Sequence, residues 1–122
     1  MRVLVVFLAL LAGSLPAYAC KCRIIPFEDA LANVDLVVEG KTRTIVASER
    51  DGVSQLSARV SIRKVLKGSL TGRWITVWTQ GSSAACGYRF EERRRVVFGL
   101  TKAPDGRWTT NSCVMNSLNQ PR

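Results

Sequence analysis

One stretch constrains this chain more than any other, because a Cys-Lys-Cys element at positions 20–22 directly follows Ala17-Tyr18-Ala19. Small residues at both ends of that tripeptide form an A-x-A cleavage site. A charged second residue and an apolar run at 3–12 complete the pattern of a secretory signal peptide. The run is shorter than the about 20 apolar residues of a membrane-spanning helix. We therefore predict that residues 1–19 are a signal peptide cut after Ala19, which leaves a free α-amine on Cys20.

The predicted mature chain, residues 20–122, keeps 103 of the 122 residues, which is enough for one small domain. Such a chain would be secreted or periplasmic. A lipoprotein signal is the alternative, since there too a cysteine follows the cut and its thiol is lipidated. Lipoprotein signals usually carry leucine where this chain has Ala17.

All four cysteines lie in the predicted mature chain, at Cys20, Cys22, Cys86 and Cys113. An even number in a small exported domain, whose core is limited, predicts two disulfide bonds. Of the three possible pairings, one would close a cramped ring between Cys20 and Cys22, so we expect these two to reach separately to Cys86 and Cys113. A four-cysteine metal site is the alternative, although the chain has no histidine.

Charge points to an anionic partner. The predicted mature chain keeps 17 of the 18 lysines and arginines against 9 acidic residues, a net charge of +8. This excess favours an anionic polymer or a membrane surface as partner, whereas export argues against nucleic acid. The alternative is that the charge only keeps the protein soluble and monomeric.

Short β patterns recur along the chain. The clearest is the alternation of Leu56, Ala58, Val60 and Ile62 with polar residues, which predicts a strand with one buried face. Strands are predicted at 36–48, 56–67, 74–80 and 96–100, and a fifth short strand starts at 107–110 and ends near Cys113. Hairpin turns are predicted at Asp51-Gly52 and Asp105-Gly106, and a short helix at 25–32. Five strands with little helix predict a mainly β domain, a small closed barrel, with a sandwich as the alternative.

The residues of common catalytic sites are scarce. Without histidine there is no Ser-His or Cys-His pair, and the cysteines are better explained by disulfides. Acidic residues occur as adjacent pairs, Glu28-Asp29 and Glu91-Glu92, whose members face different directions or lie in loops, so nothing in the sequence points to carboxylates paired across a cleft. We therefore predict that the protein is not an enzyme and has no cofactor.

Several elements follow one another in a characteristic order. They are Cys-x-Cys at 20–22, then 33–38, 65–68, Ser-Ala-Ala-Cys-Gly-Tyr at 83–88, Asp105-Gly106 and Thr-Thr-Asn-Ser-Cys at 109–113. Together they resemble the N-terminal, netrin-like domain of the tissue inhibitors of metalloproteinases, in a single-domain form. The resemblance implies a five-stranded oligonucleotide/oligosaccharide-binding barrel with short flanking helices. It also implies the disulfides Cys20–Cys86 and Cys22–Cys113.

In that family the first cysteine blocks a zinc metalloprotease. The resemblance implies that the amine and carbonyl oxygen of Cys20 chelate the protease's catalytic zinc. We expect the protein to be a monomer without a metal of its own. The implied inhibitory edge also includes Lys21, Cys22, Arg23, Ile24, Ser83, Ala84 and Ala85. Lys21 stands where the family inserts a residue, usually a small hydroxyl, into the enzyme's main specificity pocket.

Overall fold

The structure, a computed structural model, describes residues 20–121. The predicted signal peptide at 1–19 therefore lies outside the described residues. The elements of the described residues are α1 (Phe27–Ala32), β1 (Leu36–Arg50), β2 (Val53–Lys67), β3 (Trp74–Gln80), a 3-10 turn (Ser83–Ala85), β4 (Arg95–Lys102), β5 (Trp108–Thr109) and α2 (Ser112–Leu118). No helix among these residues has the length and apolar character needed to cross a membrane.

The five strands close into a ring in the order β1-β2-β3-β5-β4, and β4 returns to pair with β1. Neighbouring strands are antiparallel except β3 and β5, which run parallel through Val77↔Trp108 and Trp78↔Thr109. The mainly β fold with five strands, predicted from the sequence, is confirmed.

The longest hairpin joins β1 to β2 through Asp51 and Gly52. Both residues have positive φ angles, 52° and 77°, as a two-residue turn between twisted antiparallel strands requires. The ladder is therefore continuous up to Arg50↔Val53. Both strands extend further toward the turn than the alternation predicted, because the residues next to the turn, 49–50 and 53–54, are exposed and have no buried face to mark them.

Alternating side chains fill the ring. Val60 and Val77 are fully buried beside Leu36, Phe98 and Leu100, as the predicted inward faces of β2 and β3 require. A second, smaller cluster lies outside the ring, where the two helices cover the outer face of β1. Its buried members are Ala30, Val34, Val37 and Leu118.

The helices differ most from the predictions. Helix α1 begins at Phe27 rather than Ile25, since Pro26 is its N-cap residue. Helix α2 was not predicted at all. Asn111 starts it by accepting a hydrogen bond from the amide of Val114 on its side-chain oxygen (2.9 Å). The helix packs closely on β4 at Gly99, where a Cβ would collide with the side chains of Val114 and Leu118.

Candidate functional site

The predicted inhibitory edge begins as an extended segment, residues 20–25, that is fastened to the domain along its length. Disulfides join Cys20 to Cys86 and Cys22 to Cys113, with Cα–Cα distances of 5.1 and 4.9 Å. These are the pairs that the resemblance implied, and the expectation of two disulfides is confirmed.

Beyond the cysteines, hydrogen bonds continue the attachment at Ile25. Its amide donates to the hydroxyl oxygen of Ser117 (3.2 Å), and its carbonyl oxygen accepts from the side-chain amide of Gln120 (2.9 Å). Ser117 is buried, with 2% of its surface exposed. Both partners lie in or just after α2, so the unpredicted helix is what holds the end of this segment. Sequence reasoning missed these two residues, and only the polar positions within an otherwise apolar helix could have indicated them.

The two disulfides lie side by side. The Sγ atoms of Cys20 and Cys113, which belong to different bonds, are 3.8 Å apart. Three of the sulfurs lie within 4.8 Å of one another, close enough for a metal site. Every cysteine is nevertheless in a disulfide, and a disulfide sulfur does not supply the thiolate that zinc binds. The cluster therefore serves as a covalent anchor for the segment.

The second part of the predicted edge is the 3-10 turn Ser83–Ala85. Ser82 stabilises its start by accepting a hydrogen bond from the amide of Ala84 on its hydroxyl oxygen (3.2 Å). The next residue, Cys86, adopts a left-handed conformation with φ 63°. Gly87 then passes so close to the backbone carbonyl of Gln80 that no Cβ would fit. The Cys-Gly element thus turns the chain sharply and directs the cysteine toward the N-terminal segment.

Side chains of both parts face solvent. Lys21, Arg23 and Ile24 are exposed, Ile24 by 48%, while Cys20 and Cys22 are half-buried beneath them. Ser83, Ala84 and Ala85 are exposed as well. The disulfide Cys20–Cys86 therefore joins two exposed stretches, the N-terminal segment and the turn Ser83–Ala85 that precedes Cys86.

A cleft of about 400 Å³ continues from Ile24 toward Tyr88 and α2. Burial, and to a lesser degree the charge of Glu91, raises the pKa of the Tyr88 hydroxyl. Glu91 also accepts a hydrogen bond from Arg94 (2.8 Å), which raises the pKa of that guanidinium. The hydroxyl and the guanidinium both stay protonated at neutral pH, so the cleft offers donors next to the edge. Sequence reasoning had not assigned these residues to a site.

No family model matches the chain, and no curated protein matches it. The function is accordingly inferred from its residues and their geometry.

Proposed function

We propose that the mature protein inhibits zinc metalloendopeptidases in the manner of the tissue inhibitors of metalloproteinases. One observation carries the proposal: Cys20, the predicted first mature residue, is disulfide-bonded to Cys86 directly behind the exposed turn Ser83–Ala85. The closed ring, with its parallel contact between β3 and β5, supports a netrin-like form of the oligonucleotide/oligosaccharide-binding barrel.

Chelation follows from the chemistry of a chain end. In the uncut chain the nitrogen of Cys20 is a peptide amide, which is a poor metal ligand. Cleavage after Ala19 turns it into an amine, and this amine and the carbonyl oxygen of the same residue can close a five-membered ring on a metal. Catalytic zinc keeps one position open for the hydrolytic water and takes nitrogen and oxygen ligands at about 2.0–2.2 Å. Displacing that water stops hydrolysis.

Preorganisation makes such an edge effective. A loose chain end would lose conformational entropy on entering an active-site cleft, at about 1–2 kcal/mol for each residue whose backbone becomes fixed. Here the attachments at Cys20, Cys22 and Ile25 already fix the backbone. Most of that entropy is therefore lost during folding rather than on binding.

Lys21 sets the choice of protease. Its side chain is exposed beside Cys20 and would enter the main specificity pocket of the enzyme. A long cation is accommodated by a pocket that is open or lined by acidic residues, and disfavoured by a small apolar one. We therefore expect the targets to be metalloproteases with a deep or acidic pocket.

The test compares two chain ends. The oxidised protein starting at Cys20 and a matched protein with one added alanine before Cys20 are assayed against a panel of zinc metalloproteases. We expect the first to inhibit at least one enzyme and the second to lose inhibition by about a hundredfold or more, since the added peptide bond removes the amine ligand. Equal thermal unfolding of the two proteins shows that the fold is unchanged. If the first protein inhibits no enzyme of the panel, or if both inhibit equally, the chelation proposal is wrong.

A second candidate function is a non-inhibitory binding module that holds an anionic extracellular or envelope partner. The net charge of +8 in the predicted mature chain favours it. This function would not depend on the amine of Cys20, so the protein with the added alanine would retain it.

A further inference from the structure

Cations from three strands converge on one cleft in the outer face of the ring. This cleft, of about 300 Å³, is lined by Lys41 and Arg43 from β1, Arg63 from β2 and Arg95 from β4, with Gly40 and Ser61 between them. None of these residues belongs to the predicted inhibitory edge. We call this set the cationic cleft.

The strand register explains why Lys41 and Arg95 meet. Lys41 pairs with Arg95 on one side and with Ser61 on the other, and Ser61 in turn pairs with Trp74. Directly paired residues project from the same face of a sheet. One row of side chains therefore crosses β4, β1, β2 and β3, beginning with an arginine and ending with a tryptophan.

Neighbouring contacts hold the cleft in shape. The hydroxyl oxygen of Ser61 accepts a hydrogen bond from Nε of Arg43 (3.0 Å), and the hydroxyl donates to the carbonyl oxygen of Lys41 (3.4 Å). At Gly40 an added Cβ would collide with the backbone carbonyl of Ser61, so this part of the wall is bare backbone.

Charge in the cleft is only partly compensated. Glu39 forms ion pairs with Arg63 (2.7 Å) and Arg95 (3.4 Å), and the lining residues themselves include no acid. Four cations thus face a single carboxylate. Cations gathered in this way, without matching acids, form a recognition surface for an anion.

Trp74 extends the row beyond the charges. Its side chain is 47% exposed, and the guanidinium of Arg59 lies 4.7 Å from its ring centre. An exposed indole offers an apolar plane against which the apolar face of a sugar ring can pack. Four neighbouring strands at about 4.8 Å spacing make the row about 14 Å long, which is more than one isolated anion occupies.

We propose that the cationic cleft and Trp74 bind an anionic oligosaccharide. A sulfate or phosphate ester would lie among Lys41, Arg43, Arg63 and Arg95, and a neighbouring sugar ring would pack on Trp74. This inference rests on the second candidate function and assigns its site and ligand class; it does not depend on Cys20.

The experiment titrates the mature, oxidised protein with three dextran oligomers of equal length, one sulfated, one phosphorylated and one neutral, by calorimetry. The cleft variant carries Lys41→Gln and Arg95→Gln. Its matched control carries Arg73→Gln and Arg89→Gln, which remove the same charge from exposed arginines outside the cleft. We expect the affinity of the cleft variant for one or both charged oligomers to fall at least about tenfold, and that of the control less than about threefold. The reason is that only the cleft variant removes charge-assisted hydrogen bonds to the ester. The preferred oligomer identifies the ester.

The substitution Trp74→Ala distinguishes a site that binds an oligosaccharide from a site that binds only an inorganic anion. We expect it to weaken binding of the charged oligomer by about three- to tenfold, without changing the weaker binding of inorganic sulfate or phosphate. Thermal unfolding of every variant checks the fold.

The inference is overturned if the cleft and control variants lose affinity equally, if no charged oligomer binds, or if the neutral oligomer binds as well as the charged ones. Binding to anionic lipid vesicles without binding to any oligomer would also overturn it. The protein with the extra N-terminal alanine should bind the oligomer normally, and the cleft variant should still inhibit proteases. Failure of one function is therefore distinguishable from failure of the other.

Discussion

Gly87 illustrates how a single residue sets the position of the edge. Its φ angle is not in the left-handed region, so the chain there does not need glycine for conformational freedom. What it needs is space, because the backbone carbonyls of Gln80 and Ser82 both lie where a Cβ would be. Close backbone contact at this point lets Cys86 reach Cys20.

The substitution Gly87→Ala should therefore destabilise the protein by about 1–3 kcal/mol, the usual cost of forcing an extra methyl group into a filled space. Gly106→Ala is the control. Gly106 has a φ of 89° but open space around it, so it should lose only about 1 kcal/mol through backbone strain. Urea unfolding monitored by tryptophan fluorescence measures both. A Gly87→Ala protein as stable as the parent would show that the backbone contact is not tight.

At the scale of elements, α2 connects the sheet to the N-terminal segment. It carries Cys113 and Ser117, which hold the segment at Cys22 and Ile25, and it packs on β4 at Gly99. The position of the N-terminal segment therefore depends on how firmly this seven-residue helix packs on the sheet.

Removing the covalent link, with Cys22→Ala and Cys113→Ala together, should lower the free energy of unfolding by about 2–5 kcal/mol. It should also weaken inhibition, because residues 21–24 would gain freedom that binding must remove. Ser117→Ala is the milder companion, since it deletes only the hydrogen bond from the Ile25 amide and should cost about 1 kcal/mol. Inhibition constants measured beside urea unfolding test the link. If the double variant folds and inhibits as strongly as the parent, the rigidity of the segment does not contribute to inhibition.

Elements with a clear hydrophobic alternation could be predicted from the sequence, and the others could not. The bounds of β3 are those predicted, because Ile75, Val77 and Thr79 are all buried on one face. The fifth strand was expected to start at 107–110 and end near Cys113, but β5 has two residues, since only Trp108 and Thr109 reach both neighbouring strands. Helix α2 is too short to show a periodic signal over several turns. The cationic cleft depends on the register of three strands, which one strand's sequence does not determine.

At the scale of the whole molecule, the proposed surfaces differ in what they would bind and in the groups they would use. The inhibitory edge would use one amine and one carbonyl oxygen at Cys20, whereas the cationic cleft would use four lysine and arginine side chains. No histidine occurs anywhere in the chain, and every cysteine is in a disulfide. The pKa shifts of Asp105 and Tyr88 both lead away from neutrality, so neither group changes its charge near pH 7. The backbone hydrogen bond from Arg107 lowers the pKa of Asp105, and burial raises that of Tyr88.

In the proposed mature chain, the α-amine of Cys20 would be the group whose ordinary pKa, about 7.7–8.0, lies nearest to neutrality. Only the unprotonated amine can bind zinc, so protonation competes with inhibition. We expect the inhibition constant to be level above the pKa of the amine and to rise about tenfold for each pH unit below it. Oligosaccharide binding at the cationic cleft should stay constant over the same range, about pH 6 to 9, because that site does not use the amine of Cys20.

The measurement is an inhibition constant at each pH, divided by that of a small zinc-binding inhibitor on the same enzyme to remove the protease's own titration. An inhibition constant that does not change between pH 6 and 9 would contradict chelation by the amine, even if the protein inhibits. Inhibition and oligosaccharide binding that weaken together would instead mean that one surface serves both functions, because separate sites with these chemistries cannot share a titration.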